Sequence, residues 1–355
     1  MKQAITWILR LVAGALAMLA FGTAHTQTPS STPVTLGVTV SDKAAVSAAK
    51  RVHRRARMVN GATRAEEPLS DAQAQALASA TNARSNSDKG AGVRYPGDLF
   101  YLGGQTVQRA QSHNIYINAR GACRAPGCWG DPEQFLQDLA TSDFIHVTDQ
   151  YTGLSSSRRY TLGHSYAVAY PTASPAYTDD DMLTIAHAAA LASGQSGYGH
   201  IYHLFLTPGT DECFDNTYSV CYSPDNPATW FFCAYHGSVD FPDVGHVLYS
   251  VEPYQKVAGC WVQAGTPNGR LIDSTNDVLS HELFETITDP DGDGWWQYYG
   301  GGMFGQEIGD ECVFLTHNGD QSSAPFIFRM GGQRYATQPE YDNSAHGCTV
   351  GSSQN

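Results

Sequence analysis

Ser280–Trp296 reads SHELFETITDPDGDGWW. It opens as H-E-x-x-H, the zinc-helix signature of metallopeptidases, except that Glu285 stands where the second histidine belongs. The residues leading into it, LIDSTNDVL from Leu271 to Leu279, offer Asp273, Ser274 and Thr275 as helix-start residues, and Pro290 is a helix stop. Val278, Leu279, Leu283 and Ile287 recur at helical spacing, so one amphipathic helix is expected to carry the motif. On it His281 and Glu285 lie one turn apart on the same face, where two side chains can grip one ion.

Glu282 sits one position around that helix, where the glutamate of H-E-x-x-H activates the attacking water and carries its proton. A carboxylate at 285 keeps the spacing but adds negative charge, which weakens the ion as a Lewis acid and admits harder metals beside Zn2+, the expected cofactor. A third ligand has to come from elsewhere. GQEIGDECVF offers Glu307, 22 residues after Glu285, and Asp310 then suits the role of holding the free ring nitrogen of His281. Asp291, ten residues beyond His281, is a competing third ligand. The bland alternative is a solvated helix face bearing His281, Glu282 and Glu285 with no metal at all.

The turn after the helix raises a rival ion. Asp289, Asp291 and Asp293 in DPDGDG match the first half of a calcium loop, with Gly294 at the sharp-turn position. Gly300 occupies the place of the bidentate glutamate, so Ca2+ there would need outside ligands such as Glu307 or Asp310. An Asp-Gly-rich surface turn needs neither.

Strand-like and helical runs alternate upstream: HNIYINAR, the helix DPEQFLQDLATS, SYAVAYP, the helix TDDDMLTIAHAAALASG, then GHIYHLFLTPG, TWFFCAYHGSV and HVLYSVEPY. FIFRMGGQRYAT reads as a hairpin about Gly331 and Gly332. The pattern predicts an α+β or α/β fold with a zincin-like mixed sheet beside the motif helix. His200 and His203 fall on opposite faces of their strand and do not serve one ion. His236 follows an expected strand and lines the site or serves as a hydrogen-bonded structural histidine. No G-x-S-x-G, P-loop or G-x-G-x-x-G sits at a strand-to-helix junction, which sets serine-hydrolase and nucleotide chemistry aside.

The start of the chain has basic Lys2 and Arg10, an apolar run from Leu11 to Phe21, and small Gly22 and Ala24 at cleavage spacing. It reads as a signal peptide over 1–24, and export makes the protein secreted, whether extracellular, periplasmic or wall-associated, with no membrane contact after cleavage. In that setting the eight cysteines read as disulfides rather than a zinc cluster. Short loops favour Cys123–Cys128 and Cys213–Cys221, leaving Cys233–Cys260 and Cys312–Cys348 among 105 possible pairings.

Residues 25–92 lack aromatics until Tyr95 appears beyond them and are rich in Ala, Ser, Thr, Gln and Arg, the composition of a flexible linker or pro-segment. Their basic run KRVHRRAR (Lys50–Arg57) is a processing site, a pairing arm for the acidic domain, or plain spacer. Residues 93–355 hold 10 basic against 29 acidic side chains, a net charge of −19 that repels nucleic acid and suits divalent cations. The folded domain is expected over 93–350.

Together these motifs resemble the phosphate-induced protein 1, or EXORDIUM-like, secreted family. The resemblance runs from Asn114 to Phe314 through NIYINARG, YHLFLTPG, CAYHGS, SVEPY, NDVLSHELFETITDP and EIGDEC. It implies an exported, wall-associated or extracellular protein in which His281, Glu282, Glu285, Glu307, Asp310 and Cys312 belong to one shared site, and it names no reaction. Two functions are therefore expected: a secreted zincin-like hydrolase, most plausibly a peptidase, or a non-enzymatic module that binds wall polymer or a partner around a structural calcium site. Peptide or extracellular polymer is the expected substrate.

Overall fold

The β-branched and aromatic runs of the sequence become the strands of one sheet in the computed structural model, which describes residues 32–58, 98–119, 123, 127–171, 175–257, 260–262, 265–298, 305–313 and 326–351. Its strands are β1 (Val34–Leu36), β2 (Lys50–Met58), β3 (Ala110–Ile117), β4 (Tyr160–Leu162), β5 (Tyr166–Val168), β6 (His200–Phe205), β7 (Phe232–Phe241) and β8 (Gly245–Glu252). Across the sheet they run β1-β5-β3-β6-β8-β7-β2, with β4 also paired to β3. All pairings are parallel except those of β7 with β8 and with β2.

Such a sheet needs both faces covered, and its two cores are on opposite sides. One face packs against α1 (Val40–Ala48) and α3 (Asp179–Ser193). Thr178 and Asp181 form a capping box that starts α3, and Gly194, at φ 66, ends it in the left-handed region where glycine is unstrained. The other face carries α2 (Pro132–Leu139) and α4 (Arg270–Thr288), the helix that bears the motif. Leu279, Leu283, Phe284 and Ile287 of α4 are 0–1% exposed, and each such burial is worth roughly 1.5–3 kcal/mol. The architecture is thus mixed α/β with a mostly parallel sheet.

The amino-terminal segment departs from expectation. Residues 33–58, within the stretch read as linker or pro-segment, belong to a compact unit that spans Pro33–Asn355, not one beginning near residue 93. β1 pairs with β5, and β2 closes the opposite edge of the sheet against β7. Composition misled because the absence of aromatics rules out a core-forming segment, not an edge strand held by charge. Arg51 and Arg54 bind Asp179, Arg55 binds Asp310, and Arg57 binds Asp277, so the basic run is the pairing arm of the acidic domain. The expected signal peptide and residues 59–92 lie outside the described residues.

Four disulfides join Cys123–Cys128, Cys213–Cys221, Cys233–Cys260 and Cys312–Cys348, the pairing that loop length favoured. They are consistent with an oxidising, extracellular compartment. Among the described residues no helix is long and apolar enough to cross a membrane. The expected hairpin is present, Phe326–Met330 paired with Gln333–Thr337 about Gly331 and Gly332.

Candidate metal centre

The sheet face beneath α4 is polar where a core would be apolar. Asn114, His203, Ser250, His236 and Arg55 stand in register across β3, β6, β8, β7 and β2, all buried. Above them α4 is buried along its whole length from Asp273 to Thr288, including His281, Glu282 and Glu285. Both surfaces are therefore sealed with their ionisable groups inside.

His281 and Glu285 meet as the helix spacing requires, Nε2 to Oε1 at 3.1 Å. The tautomer of His281 is set by a neighbour. Gln338 donates its amide Nε2 to the Gly309 carbonyl at 2.8 Å, which turns its Oε1 toward His281 Nδ1 at 3.2 Å. Nδ1 must then carry a proton, and Nε2 faces Glu285 and Asp310 Oδ1, 3.9 Å away, where it shares either a proton or a cation with them. A lone pair facing two carboxylates is repulsive unless a cation or a proton lies between them. The glycine of EIGD makes this approach possible, because a Cβ on Gly309 would stand 2.5 Å from His281 Nδ1.

His236 repeats the pattern on the sheet side. Its Nδ1 lies 3.2 Å from Glu282 Oε2 and 3.4 Å from Glu285 Oε2, so Nδ1 donates to them and Nε2 is left without a hydrogen-bond partner. That Nε2 faces Glu307 Oε1 at 3.6 Å, and His53 Nε2 faces the same oxygen at 3.9 Å. Three groups of possible ligands result: His281, Glu285 and Asp310; His236, Glu282 and Glu285; His53, His236 and Glu307. Within them His53 Nε2, His236 Nε2, His281 Nε2, Glu282 Oε1, Glu285 Oε2 and both oxygens of Glu307 are buried without a hydrogen-bond partner.

Charge sharpens the case. Glu282, Glu285, Asp289, Glu307 and Asp310 are buried together, and Arg55 answers them with one guanidinium, 3.0 Å from Asp310 Oδ2 and 3.8 Å from Glu307 Oε2. Burial pushes Glu282 and Glu307 well above the ordinary carboxylate range and Asp289 up to about 7. It pushes Glu285 the same way, but the facing rings of His281 and then His236 hold that carboxyl down. Buried like charges of this density are costly without a counter-ion. The donor set, imidazole nitrogen plus carboxylate oxygen, fits a divalent cation of the zinc class, and the orphaned atoms give it somewhere to bind.

Of the residues expected at the site, His281, Glu282, Glu285, Glu307 and Asp310 are all here, but in a different division of labour. Glu307 groups with His53 and His236, and Asp310 shares the His281–Glu285 group while Gln338 takes the orienting position at Nδ1. Asp291 points away, accepting from Ser238 Oγ at 2.7 Å and from Tyr198, with His246 Nε2 at 3.2 Å. Asp289 Oδ1 accepts from Gly294 N at 2.6 Å, capping the turn. Among the described residues, Asp289, Asp291 and Asp293 do not converge as a calcium loop would require. His53 and Gln338 went unread: the first lay in a segment taken as spacer, and the second is a neutral amide outside any motif. The alternation of His53, Arg55 and Arg57 was the available signal, a period-2 polar row.

Comparison with protein-family models, curated proteins and solved structures returns no match to the chain.

Proposed function

We propose that the protein is an extracellular metal-dependent hydrolase of zincin-like type that cleaves peptide bonds, with a Zn2+-class cation held at His281 and Glu285. One observation carries the reading: Gln338 fixes the His281 ring so that Nε2, which has no hydrogen-bond partner, faces Glu285 and Asp310 inside a sealed, acidic site. The ordered run of SHELFETITDP and EIGDEC, which resembles that of the EXORDIUM-like family, supports treating the two motifs as one site.

A cation there supplies Lewis-acid polarisation of the scissile carbonyl and offsets the carboxylate charge. The chain's own groups do the rest. Glu282 is the general base, taking the proton of the attacking water at its unpartnered Oε1 while His236 Nδ1 holds Oε2. Gln338 keeps His281 in one tautomer, and Asp310, held by Arg55, keeps its carboxylate beside the ring.

A second reading, a non-catalytic module with a structural metal, is favoured by one feature. His281, Glu282, Glu285, His236 and Glu307 are all 0% exposed. Metal analysis of the purified full chain with peptide-library hydrolysis separates the two. The hydrolase reading expects stoichiometric metal and a loss of at least about 100-fold in turnover for Glu282→Gln with metal retained. Metal-dependent melting without turnover selects the structural reading, and absence of bound metal overturns both.

A further inference from the structure

We infer that His53, His236 and Glu307 hold a second divalent cation beside the one at His281 and Glu285, and that the amino-terminal strand is thereby part of the metal centre. The inference deepens the proposed function and rests on its first cation site.

Three independent features place a ligand there. His236 Nε2 is buried without a hydrogen-bond partner while Nδ1 serves Glu282 and Glu285, and it aims at Glu307 Oε1. His53 Nε2 converges on the same oxygen from β2, and both oxygens of Glu307 lack hydrogen bonds although the side chain is fully buried. Two imidazoles and one carboxylate form a ligand set suited to a zinc-class ion, and His53, His236 and Glu307 have their donor atoms within 4.8 Å of one another.

The position is built rather than accidental. His53 sits opposite Ser238 in the register of β2 with β7, and its ring meets Trp296 edge-on at 6.3 Å between centroids. Gly292, at φ 77, lets the turn close over it: a Cβ there would lie 2.5 Å from His53 Nδ1. Trp296 in turn stacks under the Arg55 guanidinium at 4.9 Å. Glu285 lies between the two positions, with Oε1 toward His281 and Oε2 toward Nδ1 of His236, so the His236 ring separates it from the second ion.

The test uses the full chain, stripped with chelator and titrated with Co2+ alone. Two equivalents are expected to bind, with an absorbance break at two in the wild type. His53→Gln, with its thermal melt recorded to confirm folding, should retain one. A wild-type break at one equivalent that His53→Gln leaves unchanged but His281→Gln abolishes overturns the second site while leaving the proposed function intact. No binding at all defeats that reading instead. Should His53→Gln fail to fold, the wild-type stoichiometry alone decides: two ions support the inference, and one refutes it.

Discussion

Replacing Arg55 by Met is expected to move two quantities in opposite directions. Met keeps an aliphatic stem but deletes the guanidinium that lies over Trp296, 3.0 Å from Asp310 and 3.8 Å from Glu307. Removing one partner of a buried pair typically costs about 3–5 kcal/mol, because the other charge stays behind. Protonation sets a ceiling: neutralising a carboxyl of ordinary pKa at pH 7 costs about 4 kcal/mol, roughly 1.4 for each of three units. Burial and the nearby Glu285 already raise Asp310, so the ceiling drops and the metal-free chain should lose about 2–4 kcal/mol. Cation affinity should rise instead, since a repelling positive charge has gone. Guanidinium unfolding of the chelator-treated protein, with and without Zn2+, measures both effects. If metal-free Arg55→Met lies within about 0.5 kcal/mol of wild type, the buried carboxylates do not depend on external positive charge, and the case for a counter-ion collapses.

Two further outcomes are expected. His113 is held at about 4 by burial and then by His200 and His164, below its ordinary 6.5. The unfolded chain therefore binds more protons in that window, so stability is full above pH 6.5 and falls as pH drops toward 4, by at most on the order of 3 kcal/mol. His113→Asn should lose less between pH 7 and 4.5 in denaturant melts, and equal losses would contradict the assignment. The Cys312–Cys348 bridge spans 36 residues and ties the chain beside Asp310 to the carboxy-terminal strand. Replacing both cysteines by alanine should cost roughly 4 kcal/mol in urea unfolding, and a change below about 1 would show that the unfolded chain gains little freedom.

The helix and its motif were legible because an α-helix fixes what lies four residues away: His281 and Glu285 had to meet, and they do at 3.1 Å. The hairpin at Gly331–Gly332, the capping box of α3 and the disulfide pairing were likewise set by local chemistry. What escaped depends on contacts distant in sequence. Arg55 is 255 residues from Asp310, and Gln338 is 57 from His281; no periodicity reports such pairings. Asp291 erred the other way, since its spacing suited a ligand while Ser238, Tyr198 and His246 had already claimed it.

The placement of β2 has a consequence for how the molecule is assembled. Met58 pairs with Phe232, 174 positions later, so this strand is made long before its partner. Contacts of that span slow folding. Until β2 arrives, the outer rim of β7 presents unpaired amides and carbonyls, the kind of surface on which chains add to one another. A chain trimmed to begin after residue 92 would keep that rim exposed for good, and it would be prone to self-association rather than merely shorter.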